Sequence, residues 1–245
     1  MTRSALRVFM SPLEVGERPL SQSVFRYVVR VHRLRPGDRF VAFDPEAQLE
    51  ADAELTRVSR YEARCRLTGP KPARRVSALR ATLMQGLGKG SKPDRVVRDA
   101  TALGVEELVF VETEHTIVRP GVGGAERADR WRSISLESAR QCGRGDVPRI
   151  EGPIELASAL ARLVGRGGPR LCLRAGAATR LHDALEQWEP SQPITLLVGP
   201  EGGLGGRELS RANECGFTLV SLGPFVLRTE TAATAALGAL AARIR

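Results

Sequence analysis

The fold class this 245-residue chain predicts is α/β, with a parallel sheet preceded by a small β-rich unit. Three observations carry that reading. From residue 76 onward, apolar runs of strand length alternate with helical patterns, the order of a parallel sheet covered by helices. Before it, residues 39–67 hold three successive strand candidates with no helix between them. Near the C-terminus, the apolar runs 194–198 and 217–222 each pass into a Gly/Pro loop and then a helix. Loops at the carboxyl ends of parallel strands are where open α/β sheets bind ligands.

Taken in order, residues 7–9 can start a strand. Residues 21–33 read as a helix: Ser21 or Ser23 can cap it, and Val24, Val28 and Val31 recur at helical spacing. Its other positions carry Tyr27, Arg26, Arg30 and Arg33, so the three arginines are expected on one basic face. Residues 35–38 are a turn built on Pro36 and Gly37. Strands are expected at 39–44, 49–55 and 60–67; the second alternates Leu49, Ala51, Ala53, Leu55 and the third Tyr61, Ala63, Cys65, Leu67. This β run argues for a small barrel of roughly 70 residues, a normal size for a minor domain. Residues 69–75 hold two prolines and three basic side chains, a stiff basic linker. The domain boundary is expected there, with residues 1–70 on one side and 76–245 on the other.

After the linker, 76–84 reads as a strand and 85–90 as a glycine-rich loop ending in Lys89-Gly90-Ser91-Lys92. Ser91 can cap a helix that has Pro93 in its first turn, runs through Leu103 and ends at Gly104. Residues 107–111 are the next strand. A polar loop with Gly121, Gly123 and Gly124 leads to a helix at 125–142, with Trp131, Ile134, Ser138 and Cys142 on one face. Leu156, Ala159, Leu160 and Leu163 mark a further helix, and 170–174 a further strand. The last helix, 229–243, presents Ala232, Ala233, Ala235, Ala236, Ala239 and Ala242 nearly all round.

Composition bounds the partner and the compartment. The net charge of +9 and a pI of about 10.3 favour a polyanion, most simply nucleic acid. Aromatic residues make up only 4%, so the core must be mostly Leu, Val and Ala. Cys65, Cys142, Cys172 and Cys215 are far apart, and His32, His115 and His182 lie near none of them. A zinc site or disulfide framework is not expected; buried free thiols in a reducing cytoplasm are. The expected location is therefore cytoplasmic. No segment is apolar enough for a bilayer span or a signal-peptide core, and no metal or membrane partner is expected.

The two C-terminal loops carry the candidate chemistry. Gly199, Gly202 and Gly203 let backbone approach a ligand closely or take positive φ, while Pro200 and Pro224 stiffen their turns. No Lys or Ser/Thr follows as in a P-loop, and the spacing is not the dinucleotide fingerprint. Two readings stand on spacing alone: tight strand-to-helix turns, or rigid loops offering backbone groups to a neutral or cationic ligand.

The loop Gly199-Pro200-Glu201-Gly202-Gly203, the later Leu-Gly-Pro-x-Val-Leu-Arg-Thr-Glu-Thr-Ala at 222–232, and Gln141-Cys142-Gly143-Arg144 together resemble the RsmE family of 16S rRNA uridine-N3 methyltransferases. That family belongs to the SPOUT class. The resemblance covers nearly the whole chain, including the N-terminal strand, basic helix, Pro/Gly turn and Phe43-Asp44. It implies a PUA-like RNA-binding barrel over 1–70 and, over 76–245, a SPOUT-type parallel sheet whose C-terminal chain forms a trefoil knot around S-adenosylmethionine. The residue pattern by itself predicts no knot, since knots are essentially absent from proteins.

The resemblance also implies site residues. The cofactor would lie against Leu173, Leu197, Gly199, Pro200, Glu201, Gly202, Gly203, Leu222, Gly223, Pro224 and Leu227, with the adenine among backbone groups and Leu197, Leu222 and Leu227 as apolar walls. Uridine N3 must lose its proton before attacking a methyl carbon, which calls for a base or an anion stabiliser. Arg228 is the expected holder of the uracil anion or a neighbouring phosphate. Glu230 either accepts the proton, orients Arg228, or pairs with it at the helix N-terminus. RNA contacts are expected from Arg7, Arg26, Arg30, Arg33, Lys89, Lys92 and Arg144. The implied substrate is 16S rRNA within the small ribosomal subunit, and the implied assembly is a homodimer with each site completed by the partner.

Four positions depart from the family pattern: Asp99 and Ala102 stand where Lys and Glu are usual, His115 where Arg is frequent, and Arg140 where Glu is usual. These bear on RNA docking or substrate identity more than on cofactor binding. The alternatives are a SPOUT enzyme acting on another RNA position or a ribose 2′-hydroxyl, and an inactive RNA-binding relative. A nucleotide-dependent oxidoreductase is disfavoured, because the strand-Gly-x-Gly-x-x-Gly start is missing.

Overall fold

The computed structural model describes residues 6–116 and 124–244. The chain forms two compact units, Met1–Val76 with Ala139–Val147, and Ser77–Ser138 with Pro148–Arg245. The segment Ala139–Val147, which contains Gln141-Cys142-Gly143-Arg144, thus belongs to the N-terminal unit. Among the described residues no helix is long and apolar enough to cross a membrane.

The first unit is a mixed sheet with one short helix. Its elements are β1 (Arg7–Phe9), β2 (Gly16–Pro19), α1 (Gln22–Phe25) continuing into a π-helical stretch Arg26–Val31, β3 (Arg39–Asp44), β4 (Leu49–Val58), β5 (Ala63–Leu67) and β6 (Lys71–Pro72). The sheet order is β1-β3-β4-β5-β2, with β6 on β4; β1 runs parallel to β3 and the other pairs are antiparallel. The expected alternation is realised in β4 and β5: Ala51, Ala53, Leu55, Ala63, Cys65 and Leu67 form the inner face with Phe40, Phe25 and Val28.

Four local expectations are corrected. Tyr61 lies outside β5 in an exposed turn where Ser59 Oγ accepts from the Tyr61 and Glu62 amides. The π-helical stretch widens the repeat beyond 3.6 residues, so Val31 turns out to solvent while Val28 stays buried. Arg33 lies past the helix end at φ 58°, so it does not continue a face with Arg26 and Arg30. The expected linker is also partly structured, since Lys71–Pro72 pairs with Leu49 and Glu50.

The second unit is a seven-stranded sheet, all of whose pairs are parallel. In chain order it comprises β7 (Ala81–Gly86), α2 (Lys92–Ala102), β8 (Glu107–Glu112), α3 (Gly124–Cys142), β9 (Arg149–Glu155), α4 (Leu156–Ala161), β10 (Arg170–Leu173), β11 (Thr179–Arg180), α5 (Leu181–Ala184), β12 (Ile194–Val198), α6 (Gly206–Glu214), β13 (Phe217–Ser221) and α7 (Thr229–Ala241). The last residues of α3, from Ala139, belong to the first unit. The spatial order is β11-β13-β10-β12-β7-β8-β9.

Both faces of the sheet are buried, as a parallel sheet requires. One face sets Leu83, Leu108, Phe110, Leu196, Val198 and Val220 against α2, α7 and Trp131, whose ring stacks on Phe110 at 4.1 Å. The other sets Met84, Val109, Cys172, Leu197 and Phe217 against α4 and α6. The strand expected at 76–84 begins later and ends later, because Gln85 and Gly86 pair with Phe110 and Val111. Ser91 makes no side-chain cap; Pro93 in the first turn of α2 remains. The loop positions Gly121 and Gly123 lie outside the described residues.

Candidate functional site

Three adjacent strands, β12, β10 and β13, end at the same level. Leu173 is in register with both Val198 and Val220. Beyond that level the chain leaves the sheet in three loops, which enclose a cleft of about 750 Å³. Leu173, Val198, Val220 and Leu222 line its apolar side, with Leu204 from the loop before α6 and Leu209 from α6. Polar groups come from Lys92, Arg174, Glu201, Arg228 and Thr229 and from the loop backbones.

Close packing of backbone on backbone fixes the 199–203 loop. A Cβ on Gly86, the last residue of β7, would collide with the Pro200 backbone, so only glycine lets this loop pass over β7. Gly203 donates to Pro200 O at 2.9 Å and takes φ +71°, with open space where a side chain would project. Thr229 Oγ1 donates to Gly199 O at 2.6 Å and accepts from Gln85 Nε2 at 2.7 Å. The start of α7 is thereby tied to the ends of β12 and β7.

Side chains brace the same loop from outside. Glu201 Oε1 accepts from Lys92 Nζ at 2.5 Å and from the Lys89 amide at 3.1 Å. Desolvation works against the Glu201 charge, but the Lys92 hydrogen bond, the backbone amides of Glu201 and Lys89 and the Lys92 charge outweigh it, and its carboxyl titrates below the ordinary range. His115 Nδ1 lies 3.2 Å from Gly203 O, and its Cβ stands where a side chain on Gly202 would go. Next to it, Glu208 accepts from the amides of Glu114 and Gly205 at 2.9 and 2.8 Å.

Of the residues expected at a cofactor site, Leu173, Gly199, Pro200, Glu201, Gly203, Leu222, Gly223 and Leu227 line the cleft, together with Arg228. Leu197 does not. It is fully buried on the opposite face of the sheet with Met84 and Cys172, and its neighbour Val198 takes the cleft position. Successive strand residues point to opposite faces, so a reading one residue out of phase selects the wrong wall. Gly202 and Pro224 sit outside the lining. Arg174, Phe225 and Val226 also line it: Arg174 lies outside the motifs, Phe225 is the variable position of the 222–232 motif, and Val226 is a motif residue not among those expected at the site.

Arg228 is exposed and occupies the N-cap position of α7. Glu230 is buried in the first turn, does not line the cleft, and leaves Oε2 without a hydrogen-bond partner. Among the described residues no ion pair joins it to Arg228. Thr234 Oγ1 donates to Glu230 O and lies 3.3 Å from Asp99 Oδ2, so the Asp99 departure falls where α2 packs on α7. Ala102 is exposed on α2, and Arg140 stacks over Tyr27 within the first unit.

The basic residues expected to meet RNA divide into three groups. Arg26, Arg30, Arg33 and Lys89 are exposed; Arg30 also donates to Arg60 O. Lys92 is held by Glu201. Arg7 and Arg144 are not surface cations. Arg7 pairs with buried Glu50 at 3.1 Å and covers the Phe43 ring, and Arg144 clamps Asp146 through two nitrogens at 2.9 and 2.7 Å. Both guanidinium groups are spent inside the first unit as braces.

The comparisons with known proteins agree with this architecture. Residues 75–241 match the family model of the RNA methyltransferase domain. The ribosomal RNA small subunit methyltransferase E of Synechocystis is 30% identical over 236 residues, covering 95% of this chain and 76% of that protein. A crystal structure of the ribosomal RNA small subunit methyltransferase E of Neisseria gonorrhoeae bound to S-adenosylmethionine superposes with a TM-score of 0.84, at 30% identity, over 97% of each chain. A methyltransferase of Legionella pneumophila in complex with the same cofactor gives a TM-score of 0.84 at 28% identity, over 98% of each chain. With the family model spanning nearly all of the second unit and a relative of this similarity spanning both, the chain belongs to the ribosomal RNA small subunit methyltransferase E family.

Proposed function

We propose that this chain is an S-adenosylmethionine-dependent methyltransferase acting on N3 of one uridine in 16S rRNA of the small ribosomal subunit, in the cytoplasm. The observation that carries the reading is the cleft at the ends of β10, β12 and β13, enclosed by the two Gly-Pro loops and the loop after β10 in a chain of this family.

The residues present fit the cofactor. A volume of about 750 Å³ lies within the range for small-ligand sites, and the lining is apolar with a few fixed polar groups. It carries both signs of charge, Glu201 against Lys92, Arg174 and Arg228, as a ligand with an ammonium and a carboxylate group requires. Gly203, one of the lining residues, has open space where a side chain would project. When bound, S-adenosylmethionine supplies an electrophilic methyl group on a positively charged sulfur.

The protein's own part is to hold the uridine and stabilise its deprotonated form. Arg228 at the rim is the anion holder: its charge favours the uracil anion or the phosphate beside it. The burial of Glu230 under the first turn of α7 favours bracing of that turn, and so of Arg228, over direct proton transfer. Its carboxylate at the helix N-terminus is stabilising there.

The wider assembly belongs to the same reading. The first unit acts as a PUA-like RNA-binding barrel, supported by its run of paired strands and by exposed Arg26, Arg30 and Arg33. The C-terminal chain forms a trefoil knot; β13 enters the sheet between β10 and β11, and the chain then returns to fasten Thr229 to Gln85. A homodimer forms through the exposed small-residue stripe of α7, Thr231, Ala235, Ala239 and Ala242. Mass-spectrometric mapping of 16S rRNA from cells with and without the gene tests the function. Loss of one N3-methyluridine is the expected result, and an unchanged methylation map overturns the reading.

A further inference from the structure

The loop between β13 and α7 ends in an apolar tip that is open to solvent. Phe225 is 78% exposed, Val226 84% and Leu227 38%. All three line the same cleft as Arg174 and Arg228, so the tip forms part of its rim. Apolar side chains grouped beside a cleft mark an interaction surface.

The neighbouring charges say what covers it. Lys92 is neutralised by Glu201, but among the described residues neither Arg174 nor Arg228 has a carboxylate within ion-pair distance. An exposed aromatic ring lining the same cleft as two guanidinium groups without an ion-pair partner is the composition of a single-stranded nucleic-acid site: the ring takes a base and the cations take phosphates. A second copy of this chain is a poorer occupant. An isologous contact at this tip would bring Arg174 and Arg228 of both copies together, and like charges would oppose it.

We propose that Phe225 is a stacking platform for an unpaired base beside the target nucleotide, with Arg174 and Arg228 holding the flanking phosphates. The proposal rests on the RNA methyltransferase reading and names how that site receives its substrate: as unstacked single strand, not as duplex.

The test uses the full chain and a dodecamer of unpaired uridines. Trp131 and Trp188 are each 2% exposed, so Phe225→Trp places an accessible indole at the tip as a reporter. The dodecamer should quench that indole. Phe225→Ala should weaken dodecamer binding roughly 5- to 150-fold, the range for loss of one base–aromatic stack, and Phe225→Tyr should restore it. Cofactor affinity and sedimentation are measured on the same variants. No quenching, or unchanged dodecamer binding by Phe225→Ala, overturns the platform. An equal loss of cofactor and RNA affinity overturns it in favour of a cofactor wall, and conversion of a dimer to a monomer overturns it in favour of a second copy. If the dodecamer binds the unaltered chain and quenches the Phe225→Trp indole as described, but the unaltered chain leaves 16S rRNA unmethylated, the catalytic reading falls and the platform stands.

Discussion

The Thr229 hydroxyl donates to Gly199 O at 2.6 Å, joining the first residue of α7 to the first residue after β12. The same hydroxyl accepts from buried Gln85, so one oxygen holds three chain segments at the cleft. Valine has nearly the shape of threonine but can make neither bond. Thr229→Val should cost about 1–3 kcal/mol in stability, because the half-buried Gly199 carbonyl loses this donor and the buried Gln85 amide is left with only its bond to Gly86 O. Cofactor affinity should fall with it, while Thr229→Ser keeps both. Chemical denaturation and calorimetry on the two variants measure this; a valine variant as stable and as tight as the parent would mean that the tie is redundant.

Glu201 gives the loop an acid limit. Its folded-state carboxyl titrates below the ordinary value, so its contribution is complete above the unfolded pKa and is lost as pH falls through the folded one. Cofactor binding should therefore hold steady through neutral pH and weaken only below about 4.3, the ordinary glutamate value. Glu201→Gln should bind more weakly at neutral pH and lose that part of the acid dependence, since an amide holds Lys92 less strongly. The effect is modest because the pair is about a third exposed (30% and 35%) and screened by solvent. Titration calorimetry across pH on both proteins decides it; parallel acid profiles would remove Glu201 from the account.

The thiols follow burial. Desolvation pushes Cys172 up to about 12 and Cys65 up to about 11, while Cys142 and Cys215 are only partly buried. A thiol reagent at neutral pH should modify Cys142 and Cys215 in the folded protein, and Cys65 and Cys172 only after unfolding. Because both buried thiols titrate above the unfolded value of about 8.5, their contribution is complete below it and is lost as pH rises toward the folded values. Peptide mapping after timed labelling is the measurement; early modification of Cys172 would contradict the packed sheet.

How far the molecule was legible in its sequence depended on the local physics. β3 and β12 have the bounds expected of them, since Gly and Pro turns flank apolar runs there. β9 was missed because, as an edge strand with no fully buried residue, it shows no apolar signal. β2, β6 and β11 are too short to have a period. The cleft loops were visible as motifs, but the phase of β12 was not. Every residue from Ile194 to Val198 is buried, so nothing in the run distinguishes the face of Leu197 from that of Val198. Arg7 and Arg144 look like surface cations in the sequence because Glu50 is 43 residues from Arg7, and because no pattern shows that Arg144 is buried with its near neighbour Asp146. Phe225 was passed over because a lone aromatic in a loop has no signature until its exposure beside Arg228 is seen.

Gly86 and Gly203 separate the two ways in which glycine serves this cleft. At Gly86 the constraint is contact: any Cβ meets the Pro200 backbone, and backbone cannot move aside as a side-chain tip can. Gly86→Ala should destabilise the protein by roughly 1–3 kcal/mol, as overpacking does, and displace the 199–203 loop. At Gly203 the space is open and the constraint is φ +71°, which costs a β-branched residue about 1–3 kcal/mol in backbone strain. Gly203→Val also projects its side chain into the cleft, so it should abolish S-adenosylmethionine binding in a chain that still folds. Gly203→Ala, with less bulk in the same conformation, should bind more weakly without losing the ligand. Circular dichroism and calorimetry on the three variants test the distinction. Undiminished binding by a folded Gly203→Val variant would place the cofactor elsewhere, and a Gly86→Ala variant of parental stability would show that the loop is free to move off β7.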